Sequence, residues 1–221
     1  MTETHEEMRS FFDLRADGYD QHMASILEDY ENFYRNIASP FEQTDKPVKV
    51  LDLGAGTGLE LEFIFAKAPN AQITAVDVSE EMLKKLVNKY EKYSSQIKTI
   101  ADSYLSLELM PHSFDYIVSV MSFHHLMPEK KVALYIKLKK ALVPSGIFVE
   151  GDYIVSPEEE KRLLKEFQEL TKKDSRVEDG QFHIDIPFSE DTQIRVLKEA
   201  GFRKIDIIFR TSRSNVVTAY P

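Results

Sequence analysis

Val48-Lys49-Val50-Leu51-Asp52-Leu53-Gly54-Ala55-Gly56-Thr57-Gly58 is the stretch that decides the fold of this chain. A run rich in valine and leucine carries one acidic residue and then gives way to three glycines at alternate positions. Strands buried on both faces are apolar throughout, so 48–53 reads as a parallel strand inside a sheet. The glycines let the backbone turn sharply out of the strand and leave no side chain between it and a ligand. Residues 59–68 read as the helix that follows. A plain tight turn would need only one glycine. In the dinucleotide fingerprint G-x-G-x-x-G the third glycine would fall at Leu59, whereas here it comes one residue early. Asp52, expected at the strand's mouth, would repel a pyrophosphate and suits a cationic ligand.

Outward from that stretch, strands and helices alternate. Strands are expected at 72–76, 97–101, 114–120 and 147–154, and helices at 79–87, 128–142, 157–173 and 190–200. Two further strands, 203–209 and 215–220, are joined by the polar turn Thr211-Ser212-Arg213-Ser214. Upstream, residues 5–46 read as helical from the spacing of Phe11, Phe12, Ile26, Tyr30, Phe33, Tyr34 and Ile37. Alternating β and α elements predict an α/β fold, doubly wound, with a mostly parallel seven-stranded sheet and the last strand antiparallel. The expected organisation is one domain: a helical cap at 1–46, a core at 47–155, a helical insert or lid at 156–188, and a closing helix and hairpin at 189–221. In such sheets ligands sit beyond the carboxyl ends of the strands.

The pattern D-x-G-x-G-x-G resembles motif I of the class I S-adenosylmethionine (SAM)-dependent methyltransferases. Phe114-Asp115-Tyr116-Ile117-Val118 resembles their motif IV, and Phe123-His124-His125-Leu126 resembles the small-molecule branch that includes ubiquinone/menaquinone C-methyltransferases. The resemblance implies a Rossmann-like methyltransferase fold, SAM as cofactor and S-adenosylhomocysteine as product. It places Asp52, Gly54, Ala55, Gly56 and Gly58 around the methionine end of SAM. Asp77 ends the second strand about 20 residues past the glycines, where it either accepts both ribose hydroxyls or merely caps the helix at Ser79. Asp102 either accepts from the adenine amino group or is a surface turn residue. Ala101 and Val78 are expected to flank the purine, with Ser103 and Ser119 close by. Phe11-Phe12-Asp13-Leu14-Arg15-Ala16-Asp17-Gly18-Tyr19-Asp20 resembles an F-x-x-R-A-x-x-Y-D element, which implies that Arg15 and Tyr19 reach the methionine moiety.

Candidates for a general base are His125, His183 and Tyr19. Imidazole suits proton removal near neutral pH. Adjacent residues on a helix or strand point apart, so at most one of His124 and His125 is expected to face the site. With no third or fourth ligand in view, the pair is read as no metal site. In 181–187, an extended backbone puts His183 and Asp185 on one face, as a base and its orienter or as locally satisfied loop residues.

Composition narrows the classes. With 28 Lys and Arg against 37 Asp and Glu, the net charge of −9 gives no general attraction to nucleic acid or anionic membranes. The Asn/Asp-Pro-Pro-aromatic signature of nucleic-acid amino methylation is missing after the fourth strand. There are no cysteines, which removes cysteine nucleophiles and thiolate metal sites and fits a reducing cytoplasm. No signal peptide and no long apolar run are visible. The expected partner is a small-molecule methyl acceptor, with no nucleic acid and no membrane, and the chain is expected to be a monomer or homodimer. The rival readings are a SAM-binding sensor or partner subunit without turnover, and a nicotinamide-dependent oxidoreductase.

Overall fold

The computed structural model describes residues 6–173 and 182–221. Among them the sheet has seven strands in the order β3-β2-β1-β4-β5-β7-β6. Strand β1 (Lys49–Leu53) sits between β2 (Gln72–Asp77) and β4 (Phe114–Val120), parallel to both. Its Val50, Leu51 and Leu53 are fully buried, as a central strand covered on both faces requires. Strand β3 (Ile97–Ala101) forms one edge beside β2. Beyond β4 lies β5 (Leu142–Tyr153), then β7 (Ser214–Tyr220), then β6 (Lys204–Arg210) at the other edge. Because β7 pairs antiparallel with both neighbours, the last strand runs against the other six. The winding reverses between β1 and β4, which opens a crevice at their carboxyl ends.

Helices cover both faces. Helices α3 (Tyr30–Ala38), α4 (Leu61–Lys67) and α5 (Glu80–Lys89) pack Phe33, Ile37, Ile64 and Leu86 against one side. On the other side, α6 (Pro128–Ala141) and α8 (Glu190–Glu199) bury Leu134, Leu138, Val196 and Leu197. Ser79 caps α5, its hydroxyl accepting from Met82 N at 3.1 Å. Helix α7 (Pro157–Lys173) keeps its expected span. Gly180 and Gln181 lie outside the described residues.

Three expected elements differ. The N-terminal stretch is three helices, α1 (Met8–Asp13), α2 (Tyr19–Ile26) and α3, rather than one continuous segment. A 3₁₀ turn at Ala16–Gly18 makes the first break, and left-handed Asp29 (φ 54°), bonded to Asn32 through its side chain, makes the second. Helix α4 starts at Leu61 because turns from Ala55 O to Gly58 N and from Gly58 O to Leu61 N occupy the intervening residues. Strand β5 begins at Leu142, taking in Pro144 and Gly146. Its pairing with β4 jumps there, from Phe114–Leu142 to Tyr116–Ile147, an irregularity that accommodates the proline.

Candidate functional site

The glycine loop forms the floor of the crevice. Gly54, Gly56 and Gly58 take φ of 70°, 51° and 72°, in the region L side chains avoid. Gly54 N and Ala55 N both donate to Val76 O, at 2.8 and 3.1 Å, folding the loop over the end of β2. A Cβ on Gly54 would stand 2.1 Å from Ser122 Oγ. Asp77 completes the loop: Oδ2 accepts from Gly56 N and Oδ1 from Ser79 N, each at 2.8 Å. It therefore braces the start of α5 while also lining the cleft, and each oxygen retains acceptor capacity. Burial, against these two hydrogen bonds, pushes its carboxyl up to about 6.

This narrow cleft brings together Tyr19, Gly54, Gly56, Asp77, Val78, Ser103 and His125 from the residues singled out in the sequence. The others lie elsewhere. Asp52 is fully buried beneath the loop rather than at its mouth. Burial and the neighbouring Glu60 drive its carboxyl well above the ordinary range, so it presents no charged wall to a ligand. Ala55 and Gly58 shape the loop from behind; Gly58 O accepts from Tyr90 OH at 2.7 Å. Ser119 Oγ is spent on Leu53 O at 2.9 Å. Ala101 is exposed on the edge strand and faces a surface hollow shared with α5, so it does not flank the cleft. Asp102 is exposed and accepts from Ser103 N and Ser106 Oγ, as a turn residue does. Tyr104, two residues on, borders the cleft instead.

A second, wider cavity of about 670 Å³ adjoins the first, sharing Phe12, Tyr19, Met121 and His125. Arg15 lines this cavity rather than the glycine cleft; it pairs with Glu6 at 3.1 Å and stacks over Phe11 at 3.6 Å. Phe11 in turn stacks on His183, with ring centroids 3.5 Å apart. Glu7 bridges to Phe182, and His183 N donates to Glu6 O at 3.0 Å. The N-terminal element and the segment before α8 thus meet over the crevice.

Both adjacent histidines face this cavity, contrary to expectation. Phe123–His125 is a 3₁₀ turn rather than a strand or α-helix, and the two imidazoles sit 4.0 Å apart. His124 Nδ1 lies 2.6 Å from buried Asp152; Asp185 Oδ1 lies 3.3 Å from His125 Nδ1, 3.7 Å from His124 Nε2 and 3.9 Å from His183 Nε2. Asp185 therefore brings a third ligand-type group to the histidine pair, a juxtaposition that the sequence did not reveal. Burial and its imidazole neighbours lower His125, and the same causes bring His183 down to about 4, so both rings are neutral at pH 7. Burial, with Asp77 and Glu60 the foremost carboxylates around it, raises the Tyr19 phenol above its ordinary value, which disfavours it as a base.

The description "Methyltransferase domain" belongs to the family model that matches residues 50–146, a span from β1 into β5 that contains the glycine loop, Asp77 and the 3₁₀ turn. Over that span the chain is similar to the methyltransferase domain family, and its fold is the Rossmann-like methyltransferase fold. Among curated proteins it resembles the carboxy-S-adenosyl-L-methionine synthase of Nautilia profundicola, 26% identical over 219 residues, covering 87% of this chain and 89% of that one. Among solved structures it resembles a candidate O-methyltransferase from Nostoc punctiforme PCC 73102 (TM-score 0.72, 20% identity), covering all of this chain and 63% of that one. The DhpI–SAM–HEP complex superimposes with a TM-score of 0.67 at 18% identity, over 96% of this chain and 95% of its own.

Several residues of the crevice were not singled out from the sequence. Met121 takes φ of 49° at the end of β4, its N held by Gly151 O at 2.8 Å. A strained residue where a strand meets a ligand crevice marks a functional position, but φ cannot be read from a sequence. Ser122 and Tyr104 follow strand ends, and that placement was the available signal. Asp152 carried none, since its partner is 28 residues away.

Proposed function

We propose that the chain is a SAM-dependent methyltransferase that moves the sulfonium methyl of SAM to a small-molecule acceptor by in-line displacement. The observation that carries the reading is the junction of the two cavities, bordered by Phe12, Tyr19, Met121 and His125. Along the glycine loop the narrow cleft offers Asp77 to ribose hydroxyls and Val78 and Ser103 to the nucleoside. The wide cavity offers Phe11, Phe12, Met23, Ile26 and Tyr153 as apolar walls and gathers its polarity in Arg15, Asp185 and three histidines. Such a wall suits a compact, partly apolar acceptor presenting one polar atom to the methyl. SAM arrives activated, so the chain mainly has to hold the nucleophile close, aligned and dry. The N-terminal helices and the segment before α8 would serve as the lid. An oxygen or carbon acid needs a base as well, and neutral His125 at the junction is placed for it.

Nucleic acid is disfavoured as acceptor by the net charge of −9. No described helix is long and apolar enough to cross a membrane. The absence of cysteine from the sequence fits action in the cytoplasm.

A second reading comes from the Nautilia relative: formation of carboxy-SAM, with SAM itself the substrate. The Arg15 guanidinium on the cavity wall is the group that would meet a carboxylate. Incubation with labelled SAM and a metabolite panel, followed by mass spectrometry, separates the readings. A methylated product with stoichiometric S-adenosylhomocysteine supports methyl transfer, and a carboxylated SAM moves the assignment to the second reading. Tight SAM binding with SAM returned unchanged across the panel would leave a sensor.

A further inference from the structure

Three of the six histidines in a cysteine-free chain converge on a single carboxylate oxygen, Asp185 Oδ1, at 3.3 to 3.9 Å. We propose that His124, His125 and Asp185 form a site for one divalent transition-metal ion, of the chemistry represented by Zn²⁺, with its open position toward the wide cavity. Nothing in the family match or the relatives' names assigns such a site.

The spacing fits. Donor atoms about 2.0–2.1 Å from a tetrahedral ion stand about 3.3 Å from one another. Here Asp185 Oδ1 is 3.3 Å from His125 Nδ1 and 3.7 Å from His124 Nε2, and the three donor atoms lie within 4.8 Å of one another. An ion pair would need one imidazole; here His183 Nε2 adds a further donor 3.9 Å from the same oxygen.

The surroundings fit as well. Asp152, almost fully buried, holds His124 Nδ1 at 2.6 Å, which leaves Nε2 directed toward Asp185 at 3.7 Å. A carboxylate behind a ligating histidine is the usual outer arrangement of imidazole metal sites. The backbone fixes both halves: Ile186 N donates to His124 O at 2.7 Å, joining the 3₁₀ turn to the Asp185 segment. Ile184 O, 3.2 Å from His125 Nδ1, is the contact that the ion would replace.

The donor set selects the ion. Imidazole with one carboxylate and no thiolate suits zinc and its first-row neighbours, whereas Mg²⁺ prefers six oxygens. Three protein ligands leave a tetrahedral ion one open position. Since all three line the wide cavity, the ion would anchor an oxygen of the acceptor beside the methyl donor. That last step rests on the wide cavity being the acceptor site.

The test uses the untagged full chain, stripped with chelator and dialysed. Zn²⁺ and, separately, Mg²⁺ are titrated by calorimetry, and S-adenosylhomocysteine binding is measured on the same preparation. One Zn²⁺ per chain at micromolar affinity or tighter, with no saturable Mg²⁺ binding, is expected. Asp185→Asn, a change at a half-exposed residue, and His125→Ala should each weaken Zn²⁺ at least tenfold. Asp152→Asn should weaken it roughly 10- to 100-fold, the range for such outer partners. A chain that binds S-adenosylhomocysteine but no stoichiometric Zn²⁺ overturns the site. So does Zn²⁺ affinity unchanged in Asp185→Asn and His125→Ala, which would put the ion elsewhere. Zn²⁺ binding at this site without S-adenosylhomocysteine binding supports the site while overturning the methyl-transfer reading.

Discussion

The Ser79 hydroxyl donates a 2.6 Å hydrogen bond to the Asp13 carboxylate, tying the first helix to the start of α5. The same hydroxyl accepts from Met82 N, so the cap of α5 and the anchor of the N-terminal element are one group. Asp17 pairs with Lys85, and Asp20 with Lys89 at 2.6 Å and with the Thr57 hydroxyl of the glycine loop. The N-terminal element therefore closes the crevice through polar ties to the surfaces it covers. That construction allows release, because exposed ion pairs hold weakly.

The ties predict an exchange pattern. Amide exchange over 8–24 and 182–190 should slow when S-adenosylhomocysteine binds, since ligand and lid would share the crevice. Asp13→Ala removes a hydrogen bond to a charged group, about 1.5–3 kcal/mol, and should speed exchange over 8–24 in the free chain by about tenfold or more. Identical exchange in parent and variant, free and bound, would mean that these residues form no lid.

Asp77 predicts a pH dependence for cofactor binding. Burial, opposed by the Ser79 and Gly56 amides and reinforced by Asp13, raises its carboxyl to about 6. Tyr19 and buried Asp52 are the other titratable neighbours. Its folded value exceeds the unfolded one of 3.8, so ionising it costs the fold stability as pH rises between those values. For binding the sign is opposite. Ribose hydroxyls would donate to the carboxylate, so affinity is expected above about pH 6 and should be lost as pH falls through it. S-adenosylhomocysteine should bind about tenfold more weakly at pH 5 than at pH 8, one pH unit below that value costing about a factor of ten. Asp77→Asn should abolish this step and weaken binding at pH 8 by about 1.5–3 kcal/mol. Calorimetry at the two pH values checks both; a pH step surviving in Asp77→Asn would assign it to another group.

Gly54→Ala tests the loop itself. A φ of 70° strains an alanine by about 1–3 kcal/mol, and its Cβ would stand 2.1 Å from Ser122 Oγ. At about 2–4 °C per kcal/mol for a chain of this size, Tm should fall by roughly 5–10 °C and cofactor affinity should drop more than tenfold. Adding Ser122→Gly removes the clash but not the strain, so the double variant should recover only part of the loss in a thermal melt.

The fold was legible because its signals are local. An all-apolar run, three glycines and alternating periods are properties of contiguous residues, and β1, α5 and the β6–β7 hairpin followed from them. Asp77 was legible for the same reason, lying at a strand end. Asp52 was misplaced because nothing in D-x-G-x-G-x-G says which way a side chain at the end of β1 points, and it points under the loop. Ala101 ends an edge strand and Asp102 follows it in the turn, where the next two residues, Ser103 and Tyr104, reach the cleft instead. The histidine cluster was illegible in part because it is made by tertiary contact: Asp152 comes from β5 and Asp185 from the segment before α8. Its geometry also depends on a 3₁₀ turn whose ring directions differ from those of a helix or strand.

His125 stands where the two cavities join, 6.3 Å from the Phe12 ring and 4.9 Å from that of His183. Burial and the adjacent His124 keep it neutral, so a lone pair is available at pH 7. Two roles use that lone pair, proton acceptor for the methyl acceptor or ligand to a cation, and one variant separates them. With an acceptor in hand, His125→Ala should lower kcat by roughly 10²–10⁴-fold, the usual contribution of a general base, with S-adenosylhomocysteine affinity nearly unchanged. Exogenous imidazole restoring turnover without added metal identifies the base. Turnover that tracks bound Zn²⁺ in the parent and is lost with it in the variant identifies the ligand. Full turnover by His125→Ala would remove this side chain from both roles and leave proximity as the source of the rate. Loss of cofactor affinity together with turnover would instead make it part of the wall that shapes the cleft.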